Sequence, residues 1–220
     1  MASAAAFAAL REALDIRHRP ASMDAFVQAD GRALGIDALT FPKGAISTLE
    51  GAASSGRSAL AARLLAAATA GGGAGAVVAW SEDPNGNFFP PSLQAAGVVL
   101  ARLLIVRAAT PLQVMRAADI LLRSAAFKTI VIPTVPSRAA VWSRLASLAH
   151  RANAVLVALG CQPCEEARYF ASLRVDCGLD EVTWTGAPGP FRALTGYDVH
   201  VEVRKHKRAV PNMHARIAVR

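Results

Sequence analysis

The sequence contains little cysteine, few aromatic residues and few acidic residues. Its 220 residues include 3 cysteines, too few for the disulfide framework of a small secreted protein. Aromatic residues make up only 6% of the chain, which leaves little material for a surface on which nucleic-acid bases would stack. The shortage of cysteine predicts a reducing compartment, and we therefore expect a cytoplasmic protein.

The shortage of acidic residues leaves the chain strongly basic. There are 16 aspartates and glutamates against 24 lysines and arginines, and the formal net charge is +8. A charge of this sign favours an anionic partner, either nucleic acid or an acidic protein, and does not choose between them. For DNA we expect weak, non-specific binding that depends on the salt concentration.

Long hydrophobic runs are also scarce, although 53% of the residues are hydrophobic. The longest uncharged run, residues 64–81, contains a glycine cluster that would break a membrane-spanning helix. The first 15 residues lack the basic leader of a signal peptide and contain Arg11, Glu12 and Asp15. We therefore expect one globular core and no contact with membranes.

Strand and helix patterns alternate along most of the chain. Up to residue 172 they predict an α/β fold, a mostly parallel twisted sheet flanked by helices. The last strands follow one another without helices and predict an antiparallel C-terminal extension. Residues 1–30 are interpreted as an N-terminal helix and linker, and residues 31–220 as the core. The predicted strands are 45–50, 76–80, 103–107, 129–132, 154–159, 173–177, 181–185, 197–205 and 215–219, and the core helices are 58–70, 92–96, 111–125, 137–152 and 165–172.

The loop after the strand at residues 45–50 matches the phosphate-binding pattern G-x-x-x-x-G-K-[ST] in its spacing and in its place between a strand and a helix. In that pattern, backbone N–H groups at the start of a helix point at phosphate oxygens. Arg57 replaces the lysine, and its planar guanidinium is bulkier than the compact ammonium that the pattern requires. The residues that would bind a nucleotide are Gly51, Ser54, Ser55, Gly56, Arg57 and Ser58.

The acidic Mg²⁺ ligand of an ATPase is missing where the pattern needs it. That ligand lies at the end of a neighbouring apolar strand. The best such strand, residues 129–132, is followed by Pro133, Thr134, Val135 and Pro136. We therefore expect no efficient hydrolysis, no bound metal, no required cofactor and at most weak ATP binding. A weak nucleotide site and a connection that has lost nucleotide binding remain as alternatives.

The loop and its helix resemble the ATP-binding loop of RecA, the bacterial recombinase. Residues 168–176 and 197–219 are similar to the late strands and the terminal hairpin of RecA, so the resemblance covers the core in order. It implies that Glu82 stands in the place of the water-activating glutamate, as a relic. It also implies that Lys205 and Lys207 stand in the places of two lysines that reach ATP on an adjacent subunit.

The differences from RecA indicate which type of RecA-like protein the chain resembles. The loops that grip single-stranded DNA in RecA correspond here to short links at 133–136 and 160–164, and we expect no separate C-terminal domain. This combination resembles the ImuA type of RecA-like protein, to which residues 89–97 and 101–107 are also similar. The resemblance implies a non-catalytic accessory role in SOS-linked translesion synthesis and DNA-damage-induced mutagenesis at the nucleoid. It implies RecA and an ImuB-type polymerase component as partners.

Two segments are candidates for binding those partners. Phe7, Leu10 and Leu14 form one stripe of a predicted helix, which would dock on RecA, fold back on its own core or pair in a homodimer. Lys205 and Lys207 lie two residues apart in a predicted strand and therefore share a face. They would reach an anionic group of a neighbouring subunit or form a solvated basic turn.

Two other activities stay open at this point. Cys161 and Cys164 have the C-x-x-C spacing of dithiol redox sites and of half a zinc knuckle, unless they are simply two thiols in a short loop. The second alternative is an active DNA-dependent ATPase or recombination mediator, in which Arg57 substitutes for the lysine and Glu82 acts as general base.

Overall fold

The structure, a computed structural model, describes residues 33–36, 39–80, 89–161, 164–186, 192–207 and 214–219. Its helices are α1 (Arg57–Ala70), α2 (Pro90–Ala95), α3 (Pro111–Ser124), α4 (Ala139–Ala152) and α5 (Glu165–Phe170), with a 3₁₀ turn at Leu100–Arg102. Its strands are β1 (Ala33–Ile36), β2 (Leu39–Pro42), β3 (Ala45–Glu50), β4 (Ala74–Trp80), β5 (Leu103–Ala108), β6 (Phe127–Pro133), β7 (Val155–Gly160), β8 (Leu173–Thr185), β9 (Ala193–His206) and β10 (His214–Val219).

Eight of the strands form one sheet, in the order β10-β9-β8-β3-β7-β6-β4-β5. The strands β3 to β8 run parallel to one another. β9 is antiparallel to β8, and β10 is antiparallel to β9. The predicted mixed α/β class, a mostly parallel sheet with an antiparallel C-terminal extension, is therefore confirmed.

Helices cover both faces of this sheet. Alternate residues of β7 belong to two separate hydrophobic clusters: Val157 packs with Leu64 of α1, and Leu156 packs with Leu145 of α4. The second cluster also contains buried residues of α3, such as Val114. Because strands between two helical layers are buried on both sides, β7 is a continuous apolar run rather than an alternating one. β3 is also buried on both sides but contains Ser47, Thr48 and Glu50.

Two features of the strands differ from the sequence-based prediction. The segments predicted as strands at 173–177 and 181–185 form a single strand, because a register shift between Leu179 and Val182 absorbs residues that look like a turn. β1 and β2, which pair as an antiparallel hairpin, were not predicted. Strands of four residues carry too little periodicity to be distinguished from a loop.

The carboxyl ends of the parallel strands meet at one edge of the sheet. The loop 51–56, the link 134–138 after β6 and Cys161 after β7 all lie at this edge. In open parallel sheets, ligands bind at the carboxyl edge, so this is where a functional site is to be sought.

Candidate functional site

The backbone of the loop at residues 51–56 is shaped by two glycines. The N–H of Gly51 donates to the carbonyl of Gly160 at 3.2 Å, which ties the loop to the end of β7. Gly56 has φ 84°, and α1 begins after it without a side-chain cap. A Cβ at Gly56 would overlap with the side chain of Val199 on β9, so only glycine allows this close approach.

The side chain of Arg57 folds back under the loop, and its guanidinium forms hydrogen bonds within the protein. Its Nη1 donates to the carbonyls of Gly51 and Ala52 at 2.6 and 2.5 Å, and its Nη2 contacts Cys161 Sγ at 2.7 Å. The residue is only 6% exposed. In the arrangement observed, the one cation of the loop is engaged by the loop itself and by the link after β7.

The end of β6 carries no carboxylate. β6 ends at Pro133, and the N–H of the next residue, Thr134, donates to the carbonyl of Leu159 at 2.6 Å. The only side-chain oxygen at this strand end is Thr134 Oγ1, which is buried without a hydrogen-bond partner. The position at which a Mg²⁺-binding acid was sought therefore presents a proline and a neutral hydroxyl.

A cavity of about 680 Å³ opens beside the loop. One wall is the polar start of α1, where Ser55 Oγ is buried and has no hydrogen-bond partner. The other wall is apolar and contains Trp184, which is 45% exposed and has the guanidinium of Arg192 at 5.4 Å from its ring. The cavity is lined by residues 53–59 and by Leu179, Val182, Trp184, Leu194 and Tyr197.

A shielded ion pair lies behind the loop. Glu50, the last residue of β3, accepts hydrogen bonds from the Nε and Nη2 of Arg168 on α5, the shortest at 2.6 Å. Arg168 also pairs with Glu165 at 2.8 Å. The two carboxylates raise the pKa of Arg168, chiefly through the hydrogen bond with Glu50. Glu50 is thus a structural anchor between the sheet and α5.

The two lysines near the end of β9 have different environments. Lys205 Nζ donates to the carbonyls of Arg168 and Tyr169 at 3.2 and 3.1 Å, at the C-terminal end of α5. Burial lowers the pKa of Lys205, and the nearby charges of Lys207 and Arg174 lower it further. Lys207 is exposed and follows β9 directly. Lys205 therefore binds α5 in this arrangement, and Lys207 is the one directed to solvent.

The cysteines do not form a disulfide in the described part of the chain. Cys161 contacts Arg57, as described above, and Cys164 lies at the start of α5. Burial raises the pKa of Cys164, opposite to the lowered pKa of a dithiol nucleophile. Cys177 is buried, and its pKa is raised to about 12. The C-x-x-C motif therefore lacks an activated thiol at Cys164.

Several predicted site residues lie outside the described residues. These are the general-base candidate Glu82 and the stripe of Phe7, Leu10 and Leu14. Of the predicted loop residues, the structure brings Ser54, Ser55, Gly56, Arg57 and Ser58 together at one wall of the cavity.

Comparison with known proteins leaves the family of this chain open. No protein-family model matches the sequence, and no curated protein is similar to it. The residues that the structure describes contain no group of three or more histidine, cysteine, aspartate or glutamate side chains that could hold a metal ion. None of the helices in these residues combines the length and the hydrophobicity that crossing a bilayer requires.

Sequence reasoning missed two parts of this site. The ion pair of Glu50 with Arg168 could have been suspected from one feature of the sequence, the single carboxylate of Glu50 at the end of a buried strand. No feature of the sequence indicates the apolar wall around Trp184 and Leu194. This wall forms because β8 and β9 stay paired beyond the end of the loop.

Proposed function

We propose that this chain is a non-catalytic, RecA-like accessory protein that acts in SOS-linked translesion synthesis through RecA and an ImuB-type polymerase component. The proposal includes a cytoplasmic, nucleoid-associated location. The partners come from the sequence resemblance, and the loss of catalysis is argued from the loop.

The observation that carries the proposal is the position of Arg57. In a phosphate-binding loop, the lysine is available to the β- and γ-phosphates. Here the guanidinium has three acceptors inside the protein, and release would leave the carbonyls of Gly51 and Ala52 without this donor. Two independent features therefore disfavour ATP hydrolysis: the cation of the loop is engaged within the protein, and Pro133 stands where a metal-binding acid would be needed.

The cavity beside the loop favours a second candidate, a nucleotide-dependent ATPase or recombination mediator. Its polar wall at the start of α1 suits phosphates, and its apolar wall at Trp184 suits a base. This candidate requires Arg57 to leave its acceptors when ATP binds.

One titration separates the two candidates. Full-length protein is mixed with ATP and Mg²⁺, with and without RecA filaments, and both nucleotide binding and phosphate release are measured. The proposal predicts capture of the chain by RecA and no turnover above that of RecA alone. It also predicts that Arg57→Ala, checked for folding by circular dichroism, is captured as well as the wild type.

A control assigns any turnover that is seen. Mg²⁺-dependent hydrolysis by the chain alone that disappears in Glu82→Ala would establish the ATPase and refute the proposal. Failure of RecA filaments to capture the wild type would remove the RecA partner from it.

A further inference from the structure

A second surface, separate from the loop, lies between α3 and α4. We call it the α3–α4 groove and define it by Leu112, Met115, Ile120, Val141 and Leu145. Both helices follow parallel strands of the sheet and have 14 residues each, about 20 Å at 1.5 Å per residue. A cavity of about 900 Å³ lies between their N-terminal halves, and one of about 600 Å³ between their C-terminal ends. Arg144 lines both cavities, and its ion pair with Asp119 connects α4 to α3 between them.

The groove exposes large apolar side chains along its length. Leu112 is 60% exposed and Ile120 is 67% exposed, eight residues apart on α3. Met115 and Leu145 close the floor between the helices and are almost fully buried. Single exposed leucines are common on protein surfaces, but these lie along one concave surface with an apolar floor.

The rim of the groove is strongly basic. Its arginines are Arg116, Arg123, Arg138, Arg144 and Arg151. The only carboxylate on the two helices is Asp119, which binds both Arg144 at 2.6 Å and Arg123 at 2.9 Å. Among the described residues, the guanidinium groups of Arg116, Arg138 and Arg151 have no carboxylate partner. With five arginines and one aspartate, the rim of the groove has a net charge of +4.

The length, the floor and the rim together select one kind of occupant. A helix of about four turns matches the length of α3 and α4, and its apolar face would cover Leu112 and Ile120. Acidic residues on its flanks would pair with the free arginines. A nucleic-acid backbone fits less well, because charged phosphates would lie against the apolar side chains, and the one aromatic residue of the two helices, Trp142, is fully buried.

We propose that the α3–α4 groove is a docking site for an acidic amphipathic helix of a partner protein. The site does not depend on nucleotide binding, because it lies on the outer face of two helices and uses no residue of the loop at 51–58. It is also independent of the proposed function, since it is argued from these two helices alone.

The test uses full-length protein and a labelled synthetic peptide of about 16 residues, with leucine on one helical face and glutamate elsewhere. Fluorescence anisotropy measures its affinity. One control peptide has the same composition with the leucines scattered around the helix, and another has lysine in place of glutamate. We expect the wild type to bind the acidic amphipathic peptide at least about tenfold more tightly than either control.

Matched variants locate the binding site. Ile120→Asp and the double variant Arg116→Glu/Arg151→Glu should each weaken binding about tenfold, since they remove an apolar anchor and reverse two rim charges. Two control variants lie outside the groove: Leu194→Asp replaces an exposed leucine of β9, and Lys128→Glu reverses the charge of an exposed residue of β6. The affinity of each for the peptide should stay within about twofold of that of the wild type. Circular dichroism checks that every variant is folded.

Three results would overturn this assignment. The first is no preference for the acidic amphipathic peptide, or equal binding by the groove variants. The second is binding that appears only in Phe7→Asp/Leu10→Asp, which would show that the chain's own N-terminal segment occupies the groove. The third is loss of DNA binding in the groove variants with peptide binding intact, which would make the groove a nucleic-acid surface.

Discussion

At the scale of single residues, the pair of Glu50 and Arg168 is the most shielded ion pair among the described residues, with side-chain exposures of 9% and 20%. Removing one partner of a shielded pair leaves an unpaired charge away from water. We expect Arg168→Ala to lower the free energy of unfolding by about 3 kcal/mol, measured by urea denaturation.

The matched control is an exposed pair. Arg216 pairs with Asp180 at 2.7 Å, and its side chain is 67% exposed. Arg216→Ala should change the free energy of unfolding by less than about 1 kcal/mol, because water screens this pair. Equal effects of the two substitutions would contradict the structural role assigned to Glu50.

The thiol of Cys177 provides a pH-dependent test. Burial, with a contribution from Asp176, raises its pKa from 9.0 to about 12. A raised thiol pKa means that folding favours the protonated form, so this stabilisation is complete below pH 9 and is lost as the pH rises toward 12. The free energy of unfolding should fall over this window in the wild type and fall less in Cys177→Ala. Parallel curves for the two proteins would show that the thiol ionises without this penalty.

At the scale of elements, α3 starts with a variant of the capping box, in which Gln113 accepts from Ala109, the residue before the N-cap Thr110. Thr110 Oγ1 accepts from the N–H of Gln113 at 3.3 Å, and Gln113 Oε1 accepts from the N–H of Ala109 at 2.8 Å. Thr110→Ala should lower the free energy of unfolding by about 1 kcal/mol, while Thr110→Ser keeps the hydroxyl and most of the stability. If both variants are equally destabilised in thermal or urea unfolding, packing of the threonine methyl explains the effect and the cap does not.

The elements that were predicted well are those with strong local signals. β3 was predicted with its observed bounds, and α3 was predicted within one residue of them; Thr110 and Pro111 are a helix-start signal by themselves. β8 was divided in two because Gly178 and Asp180 suit a turn, and only its pairing with β9 keeps it extended. The position of Arg57 could not be predicted, because its partner Cys161 is 104 residues away in sequence.

At the scale of the whole molecule, the net charge of +8 is the balance that remains after all carboxylates are counted, and it favours a weak electrostatic contact with an anion. Five arginines are paired with carboxylates in the structure: Arg123, Arg144, Arg168, Arg204 and Arg216. We expect weak binding of a DNA duplex at about 50 mM salt and no detectable binding at about 200 mM, measured by anisotropy across a salt series. Tight binding retained at the higher salt would point to a dedicated DNA surface.

The order of strands in the sheet has a consequence for synthesis of the chain. β3 is the first strand of the eight-stranded sheet to be made, yet its two neighbours are β7 and β8. Its register partner for Ala45 is Val155, 110 residues later. At about 5–20 residues per second, the ribosome needs roughly 5–20 s to supply that partner. During this interval the nascent polypeptide carries an unpaired strand of which five of six residues are buried in the folded protein, which makes it a candidate client for chaperones that act at the ribosome exit.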